Sequence, residues 1–275
     1  MDGLRIDSKV KLNNGVEMPV FGLGTYQTLA KDTKDAVLYA LEIGYRLIDT
    51  ASMYENEKEV GGAIRKSGIP REDIFVTTKL WNSDHGYERA LKAFEKSLKN
   101  LGSKYIDLYL IHWPVQGLRN DSWKALEKLL KDGKCRAIGV SNYMIQHLQE
   151  LLKNSATAPA VNQVEFSPYL YLKDLLDFCN SQKIQLESYS PLTKGHKLND
   201  PKLKSSASKY CRTPAQILIR WALQKGVVVI PKSSKKERIK ENAEVFDFSI
   251  TPEDMKVLDS FNQNLHTSWD PTTVP

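Results

Sequence analysis

Short apolar runs rich in β-branched residues alternate along the chain with longer stretches whose apolar residues recur every three or four positions. The first pattern is that of a strand buried on both faces, and the second that of an amphipathic helix. Eight runs fit such strands: residues 20–23, 46–48, 74–78, 106–111, 137–140, 160–164, 184–188 and 227–230. Between them the spacing predicts helices. Over 87–101, Leu91, Phe94, Leu98 and Leu101 share a face; over 122–131, Trp123, Leu126, Leu129 and Leu130 do so. Asp121 or Ser122 is expected to cap the second of these, and Asp132-Gly133 to end it. Gly44, Gly102 and Gly226 sit where helices hand over to strands.

Ahead of the first strand, Val10-Lys11-Leu12 and Val16-Glu17-Met18 flank Asn13-Asn14-Gly15, a hairpin that can plug one end of a barrel. Two more helical stretches, 235–244 and 251–261, follow the last strand, and 266–275 reads as an irregular tail. No Pro/Ser/Gly-rich linker or shift in composition divides the chain, so residues 1–275 read as a single domain. Eight βα units in one domain of this length close most simply into an α/β (β/α)8 TIM barrel, with the N-terminal hairpin and an extra C-terminal helix as additions. The competing open sheet calls for Gly-x-Gly-x-x-Gly after an early strand. Here Gly22-x-Gly24 is followed by Gln27 in place of the third glycine.

Composition narrows the class further. The 275 residues are 41% hydrophobic and 26% charged, which is soluble and globular rather than disordered, fibrous or membrane-spanning. Thirty-nine Lys and Arg against 33 Asp and Glu leave +6, mild for this length and spread over solvated helix faces, so nucleic acid is not an expected partner. Cys135, Cys179 and Cys211 are too few and too scattered for a disulfide framework. With no apolar leader after Met1 and no run of about 20 apolar residues, a cytoplasmic protein is expected. No long exposed apolar helix asks for a partner, so the expected state is a monomer.

In such a barrel the chemistry sits at the C-terminal ends of the strands. The polar residues there are Thr25 and Tyr26, Asp49 and Thr50, Lys79, His112, Ser141 and Asn142, Gln163 and Glu165, Tyr189 and Ser190, and Lys232 and Ser233. An Asp, a Lys and a His at three successive strand ends converge across the mouth, and Tyr54 lies in the loop beyond Asp49. A lone residue of these types is more often a cap or a packing group; joint placement raises the four above that. They suit acid/base chemistry with a phenol. A free Tyr, with a pKa of about 10, is a poor proton donor to a developing alkoxide, and a neighbouring ammonium favours the phenolate. Lys79 is positioned to supply that charge, Asp49 to keep it, and His112 to orient a carbonyl oxygen. Asp107, inside a strand, and His85, His147, His196 and His266, in loops and helices, are expected to be structural.

A second constellation runs from Pro231 through Lys232, Ser233, Ser234 and Arg238 to Asn242. A Ser pair at a helix start offers free backbone N–H groups and the positive end of a dipole, and loops after the seventh and eighth barrel strands commonly hold phosphate. The competing reading is a solvated basic helix face.

These residues resemble the aldo-keto reductases from Lys9 to about Asn264. The likeness is carried by Met18-Pro19-x-Phe21-Gly22-Leu23-Gly24-Thr25, by Gly44-Tyr45-Arg46-Leu47-Ile48-Asp49-Thr50-Ala51-x-x-Tyr54-x-Asn56-Glu57, by Asp107-Leu108-Tyr109-Leu110-Ile111-His112-Trp113-Pro114, by Ile138-Gly139-Val140-Ser141-Asn142 and by Ile230-Pro231-Lys232-Ser233. It implies a nicotinamide-dependent carbonyl reductase with a tetrad of Asp49, Tyr54, Lys79 and His112, in which Tyr54 donates the proton. It also implies NADPH as cofactor, with contacts from Gly24, Thr25, Ser141, Asn142, Gln163, Tyr189, Ser190, Leu192, Lys232, Ser233, Ser234, Arg238, Glu241 and Asn242. Ser141, Asn142 and Gln163 would hold the carboxamide, Tyr189 would stack on the nicotinamide, and Lys232, Ser233, Arg238 and Asn242 would take the 2′-phosphate and adenine. The chain departs from the family at Glu165-Phe166-Ser167-Pro168, where a His is frequent, and at Tyr26, where a Trp is. Its short loops after Pro114 and Leu192 imply an open pocket walled by Tyr26, Trp81 and Trp113. Compact members of this kind reduce small aldehydes, dicarbonyls such as methylglyoxal, diketo sugar acids or prostaglandin endoperoxide. Two other classes stay open: a non-catalytic barrel subunit that keeps the nucleotide, and a cofactor-free isomerase or aldolase acting through a Schiff base on Lys79.

Overall fold

The protein is described here from a computed structural model covering residues 3–275. Met1 and Asp2, the start of the segment read above as lacking a leader, lie outside the described residues. Two short antiparallel strands, β1 (Lys9–Lys11) and β2 (Glu17–Pro19), form the hairpin. Eight parallel strands follow: β3 (Gly22–Gly24), β4 (Leu47–Asp49), β5 (Phe75–Leu80), β6 (Ile106–Ile111), β7 (Cys135–Ser141), β8 (Val161–Glu165), β9 (Gln185–Tyr189) and β10 (Val228–Val229). They pair in sequence order, and bridges from Phe21 to Val229 and from Gly24 to Lys232 close the ring. The helices around it are α1 (Ala30–Glu42), α2 (Glu57–Ser67), α3 (Tyr87–Leu101), α4 (Arg119–Lys131), α5 (Ile145–Asn154), α6 (Lys173–Ser181), α7 (Pro201–Lys209), α8 (Pro214–Gln224), α9 (Lys236–Ala243) and α10 (Pro252–Asp259). This is the (β/α)8 barrel expected from the alternation, with the hairpin at one end and α10 as the added C-terminal helix. The inserted α7 had no counterpart in the strand count.

Two cores hold it. The larger fills the space between sheet and helices, where α3 contributes buried Phe94 and Leu101 and α4 contributes Trp123, Leu126 and Leu129. The smaller lies inside the barrel: Leu12 and Met18 of the hairpin pack on Leu47, Phe75, Leu108, Leu110 and Val228. The hairpin is therefore a plug, tied down where Asn13 and Asn14 donate to the carbonyls of Pro159 and Arg136. Glycine makes the large interior side chains possible. A Cβ on Gly22 would stand 2.5 Å from the Leu47 side chain, and one on Gly139 would stand 2.7 Å from that of Leu110. Asp107 closes the same region, accepting from Arg71, from Arg136 and from the Val76 N–H, which is the structural role expected of it.

One helix start differs from expectation. α4 begins at Arg119, so Asp121 and Ser122 lie inside its first turns and cap nothing. The Ser122 hydroxyl donates back to the Leu118 carbonyl and accepts from the Gly86 N–H, which fastens the loop before α3 to α4. Among the described residues no helix is long and apolar enough to cross a membrane.

Candidate active site

Strand register decides which side chains meet. Asp49 ends β4 opposite Gly24 on one side and Thr77 on the other, and Lys79 lies two residues further along β5. Both point into the barrel, one pleat apart. The Lys79 ammonium donates to both Asp49 oxygens at 2.7 and 2.8 Å, to the Thr50 carbonyl at 2.9 Å and to the Tyr54 hydroxyl at 3.3 Å. Lys79 is wholly buried and Asp49 nearly so. Such a pair survives burial because each charge is matched and its remaining valences are filled.

Tyr54 reaches this pair from a short 3-10 turn, Ser52–Tyr54. The turn is pinned by a bond from the Ser52 hydroxyl to the Lys79 carbonyl. Asn56 accepts from the Thr50 hydroxyl and donates to the Thr25 carbonyl, while Glu57 accepts from Thr78 and Asn100. The polar residues of the segment after β4 thus divide in role: Asp49 and Tyr54 face the cavity, and Asn56 and Glu57 fix the loop that carries them.

Burial raises the Tyr54 phenol well above its ordinary range, and the charge of Asp49 acts in the same direction. The expected depression by Lys79 is therefore not what the resting site has, because burial, and after it the Asp49 charge, set the direction. Tyr54 is a neutral phenol that holds its proton. His112, at the end of β6, presents its ring 5.7 Å from that of Tyr54 and is backed by Trp81 at 5.0 Å. Burial, with help from the Lys79 charge, lowers it well below the ordinary histidine range, so it is a neutral imidazole. Its Nδ1 is sealed away without a partner among the described residues. An N–H there would waste a donor, so the ring proton belongs on Nε2.

A cavity of about 980 Å³ opens above this floor. On one side Ser141, Asn142, Gln163 and Tyr189 form a wall linked by hydrogen bonds. Asn142, at a left-handed φ of 62°, turns back to donate to the His112 carbonyl and accepts from the Tyr189 hydroxyl. Gln163 donates to Asp49. Further out the cavity is lined by Gly24, Ser190, Leu192, Lys232, Ser233, Arg238, Glu241 and Asn242. Thr25 and Ser234 lie outside this lining. The Thr25 hydroxyl is spent on the Asp49 carbonyl, and Ser233 uses its own hydroxyl to accept the Lys235 N–H. The Ser pair therefore offers fewer free N–H groups before α9 than its sequence suggests.

On the other side stand Tyr26 and Trp113; Trp81, expected to wall the pocket with them, lies outside this lining, its ring 5.0 Å from that of His112. A fourth aromatic joins them from the tail. Trp269 packs 5.7 Å from Trp113 and 6.5 Å from Trp81. Glu165 accepts the N–H groups of Thr267 and Ser268, and Arg119 and His147 hold the carbonyls of Pro275 and Val274. The tail is irregular, as expected, yet strapped across the mouth at both ends. Glu165 was recognisable in the sequence as a strand-end polar residue, but its partners lie about a hundred positions away.

The model of the Aldo/keto reductase family matches residues 20–263. A glyoxal reductase of Bacillus subtilis strain 168 is 52% identical over 263 residues, covering 95% of each chain. Among solved structures, the aldo-keto reductase MGS-M4 from a Medee basin deep-sea metagenome library superposes with a TM-score of 0.93 at 48% identity, covering 98% of this chain and 100% of its own. An aldo-keto reductase of Bombyx mori in complex with NADP gives 0.91 at 34% identity, with 97% and 96% covered. The motifs, the barrel and the convergence of Asp49, Tyr54, Lys79 and His112 on one cavity floor agree with these matches, and the chain belongs to the aldo/keto reductase family.

Proposed function

We propose that the protein reduces small aldehydes and ketones with NADPH, Tyr54 giving its proton to the carbonyl oxygen. The observation that carries this reading is the Tyr54 hydroxyl poised over the buried Asp49–Lys79 pair at the base of a cavity. The cavity fits the cofactor. It offers a polar patch at Ser141, Asn142 and Gln163, an aromatic face at Tyr189, and Lys232 and Arg238 beside the start of α9 for a phosphate. Gly24 keeps this channel free of side chain, and a Cβ there would meet the Ile230 carbonyl at 2.9 Å.

Bound NADPH supplies the hydride to the carbonyl carbon. The chain's own residues manage the proton. Tyr54 arrives protonated because it is buried, and the Lys79 ammonium at its oxygen stabilises the phenolate left after transfer. Asp49 supplies the counter-charge of the buried Lys79 ammonium through both of its oxygens. Neutral His112 orients the carbonyl oxygen through Nε2–H. An ammonium committed to both oxygens of Asp49 is a poor nucleophile, which argues against Schiff-base chemistry on Lys79.

The test is consumption of NADPH with methylglyoxal and with a nitrobenzaldehyde. Turnover is expected, and Tyr54→Phe is expected to lower it on the order of 10²- to 10⁴-fold while NADPH still quenches protein fluorescence at similar concentrations. Full activity in that variant would overturn the mechanism, and NADPH binding without turnover of any carbonyl would favour a non-catalytic barrel.

A further inference from the structure

Beneath the tetrad lies a second buried carboxyl group that the proposed proton path does not use. Glu187 is on β9 in direct register with Gln163 on β8, and both side chains face the barrel interior. The Gln163 amide nitrogen has two hydrogens. One goes to Asp49 Oδ2 and the other to Glu187 Oε2, each at 2.8 Å. The two carboxyl groups are thus joined through one carboxamide, and the amide orientation is dictated by Asp49, whose carboxylate the amide oxygen could not face.

The charge count is uneven. Two buried carboxyls share the space with one ammonium. The hydrogen bonds of Lys79 among the described residues go to Asp49, Thr50 and Tyr54, and none goes to Glu187. Glu187 is fully buried, and its Oε1 finds no partner among the described residues. A carboxylate so placed would be an uncompensated charge in low dielectric, whereas a carboxylic acid is tolerated. The ionisable groups that face it are Asp49 from β4, Lys79 from β5 and Tyr54 from the loop after β4. Val228 and Ile230, on the β10 side, are apolar members of the interior core.

We propose that Glu187 is a positioning residue acting through Gln163: as a neutral acid it keeps the carboxamide seated on Asp49 and leaves Lys79 and Asp49 the sole separated charges beneath Tyr54. Burial and the Asp49 charge push its carboxyl up to about 8, against smaller downward pulls from Gln163 and Lys79. Above that pH the new negative charge opposes formation of the Tyr54 phenolate, since an ionised Glu187 raises the Tyr54 phenol. Slower proton donation follows. This consequence for turnover rests on the reductase reading; the protonation of Glu187 does not.

Infrared titration of the cofactor-free protein reads the state of Glu187 directly. A protonated-carboxyl band is expected at neutral pH, fading as pH rises through about 8 and missing from Glu187→Gln. In steady-state assays of carbonyl reduction at saturating NADPH, the wild-type kcat is expected to fall above about 8, and Glu187→Gln, which mimics the neutral acid, to keep the neutral-pH kcat and lose that alkaline limb. Absence of the band from the wild-type protein at neutral pH, its persistence in Glu187→Gln, or an alkaline limb unchanged in that variant would each overturn the proposal. If neither protein turns over any carbonyl, the reductase reading falls and the infrared result alone decides the state of Glu187.

Discussion

Lys79 lies closer to Asp49 than to Tyr54: its ammonium is 2.7 and 2.8 Å from the carboxylate oxygens and 3.3 Å from the phenol. The order of these distances gives Asp49 a definite task. It keeps the ammonium charged, and the ammonium then acts on Tyr54 when the phenol begins to lose its proton.

Asp49→Asn separates that task from shape. With the carboxylate gone, Lys79 is a buried cation without its counter-charge. The expected outcome is a fall in kcat on the order of 10²-fold, together with a loss of stability of roughly 3–5 kcal/mol in denaturant titrations. NADPH affinity should change far less. A variant with near-normal kcat would show that Lys79 does not need its charge.

The adenosine end of the cavity gives a second prediction. Arg238 is exposed on α9 and lines the cavity beside Lys232 and Asn242. If it binds the 2′-phosphate that distinguishes NADPH from NADH, Arg238→Ala removes a charge-assisted bond of about 1.5–3 kcal/mol from one cofactor only. Fluorescence titration is then expected to show NADPH binding weakened roughly 10- to 100-fold and NADH binding nearly unchanged. Equal weakening of both would exclude the phosphate assignment.

How far the sequence reaches is clearest at particular residues. All eight barrel strands were legible because a doubly buried strand leaves an unbroken apolar run, and the polar residue ending such a run pointed to Asp49, Lys79 and His112. Glu187 escaped that rule because it sits within its run rather than after it. Trp269 escaped because a tail without periodicity says nothing about where it lands; its place is set by Glu165, Arg119 and His147, residues remote in sequence. The cap assigned to Asp121 or Ser122 failed for a local reason. Arg119 and Asn120 are acceptable first-turn residues, and Arg119 is drawn into the helix start by its ion pair with Glu150.

Trp269 supports the third prediction. Its ring is largely exposed, yet it packs against Trp113 and Trp81 and, with Tyr26 and Trp113, completes the aromatic lining of the cavity. An aromatic contact is worth about 0.5–1.5 kcal/mol beyond area burial, so Trp269→Ala is expected to raise KM for a nitrobenzaldehyde roughly 3- to 10-fold. A carbonyl too small to reach the wall, such as methylglyoxal, should lose little. Glu165→Ala, which frees the strap without touching the ring, should reproduce part of the effect. Similar losses for both substrates in Trp269→Ala would mean that the tail shapes the tetrad rather than the pocket.

The last prediction concerns acid stability and comes from His85, just after the turn that carries Trp81. His85 is fully buried. Its Nδ1 lies 3.1 Å from the Ser122 hydroxyl, whose one hydrogen already goes to the Leu118 carbonyl. The histidine must therefore donate from Nδ1 and leave Nε2 bare, and Nε2 has no partner among the described residues. A second ring proton would be a buried cation facing nothing, so burial, aided by the charge of Arg89, lowers this histidine to about 4. In the unfolded chain it titrates near 6.5. Between about pH 6.5 and 4 the unfolded state binds a proton that the folded state refuses, so stability present above that window is lost as pH falls through it. The shift corresponds to about 3 kcal/mol for this one site. His112 pulls in the same direction, so the site is isolated by substitution rather than by the shape of the whole curve. His85→Asn retains a donor for Ser122 and cannot titrate. Denaturant titrations at neutral pH and near pH 4 are expected to show the variant losing roughly 3 kcal/mol less than the wild type over that interval. Parallel losses in the two proteins would mean that His85 is protonated in the folded state, and that Nε2 has an acceptor.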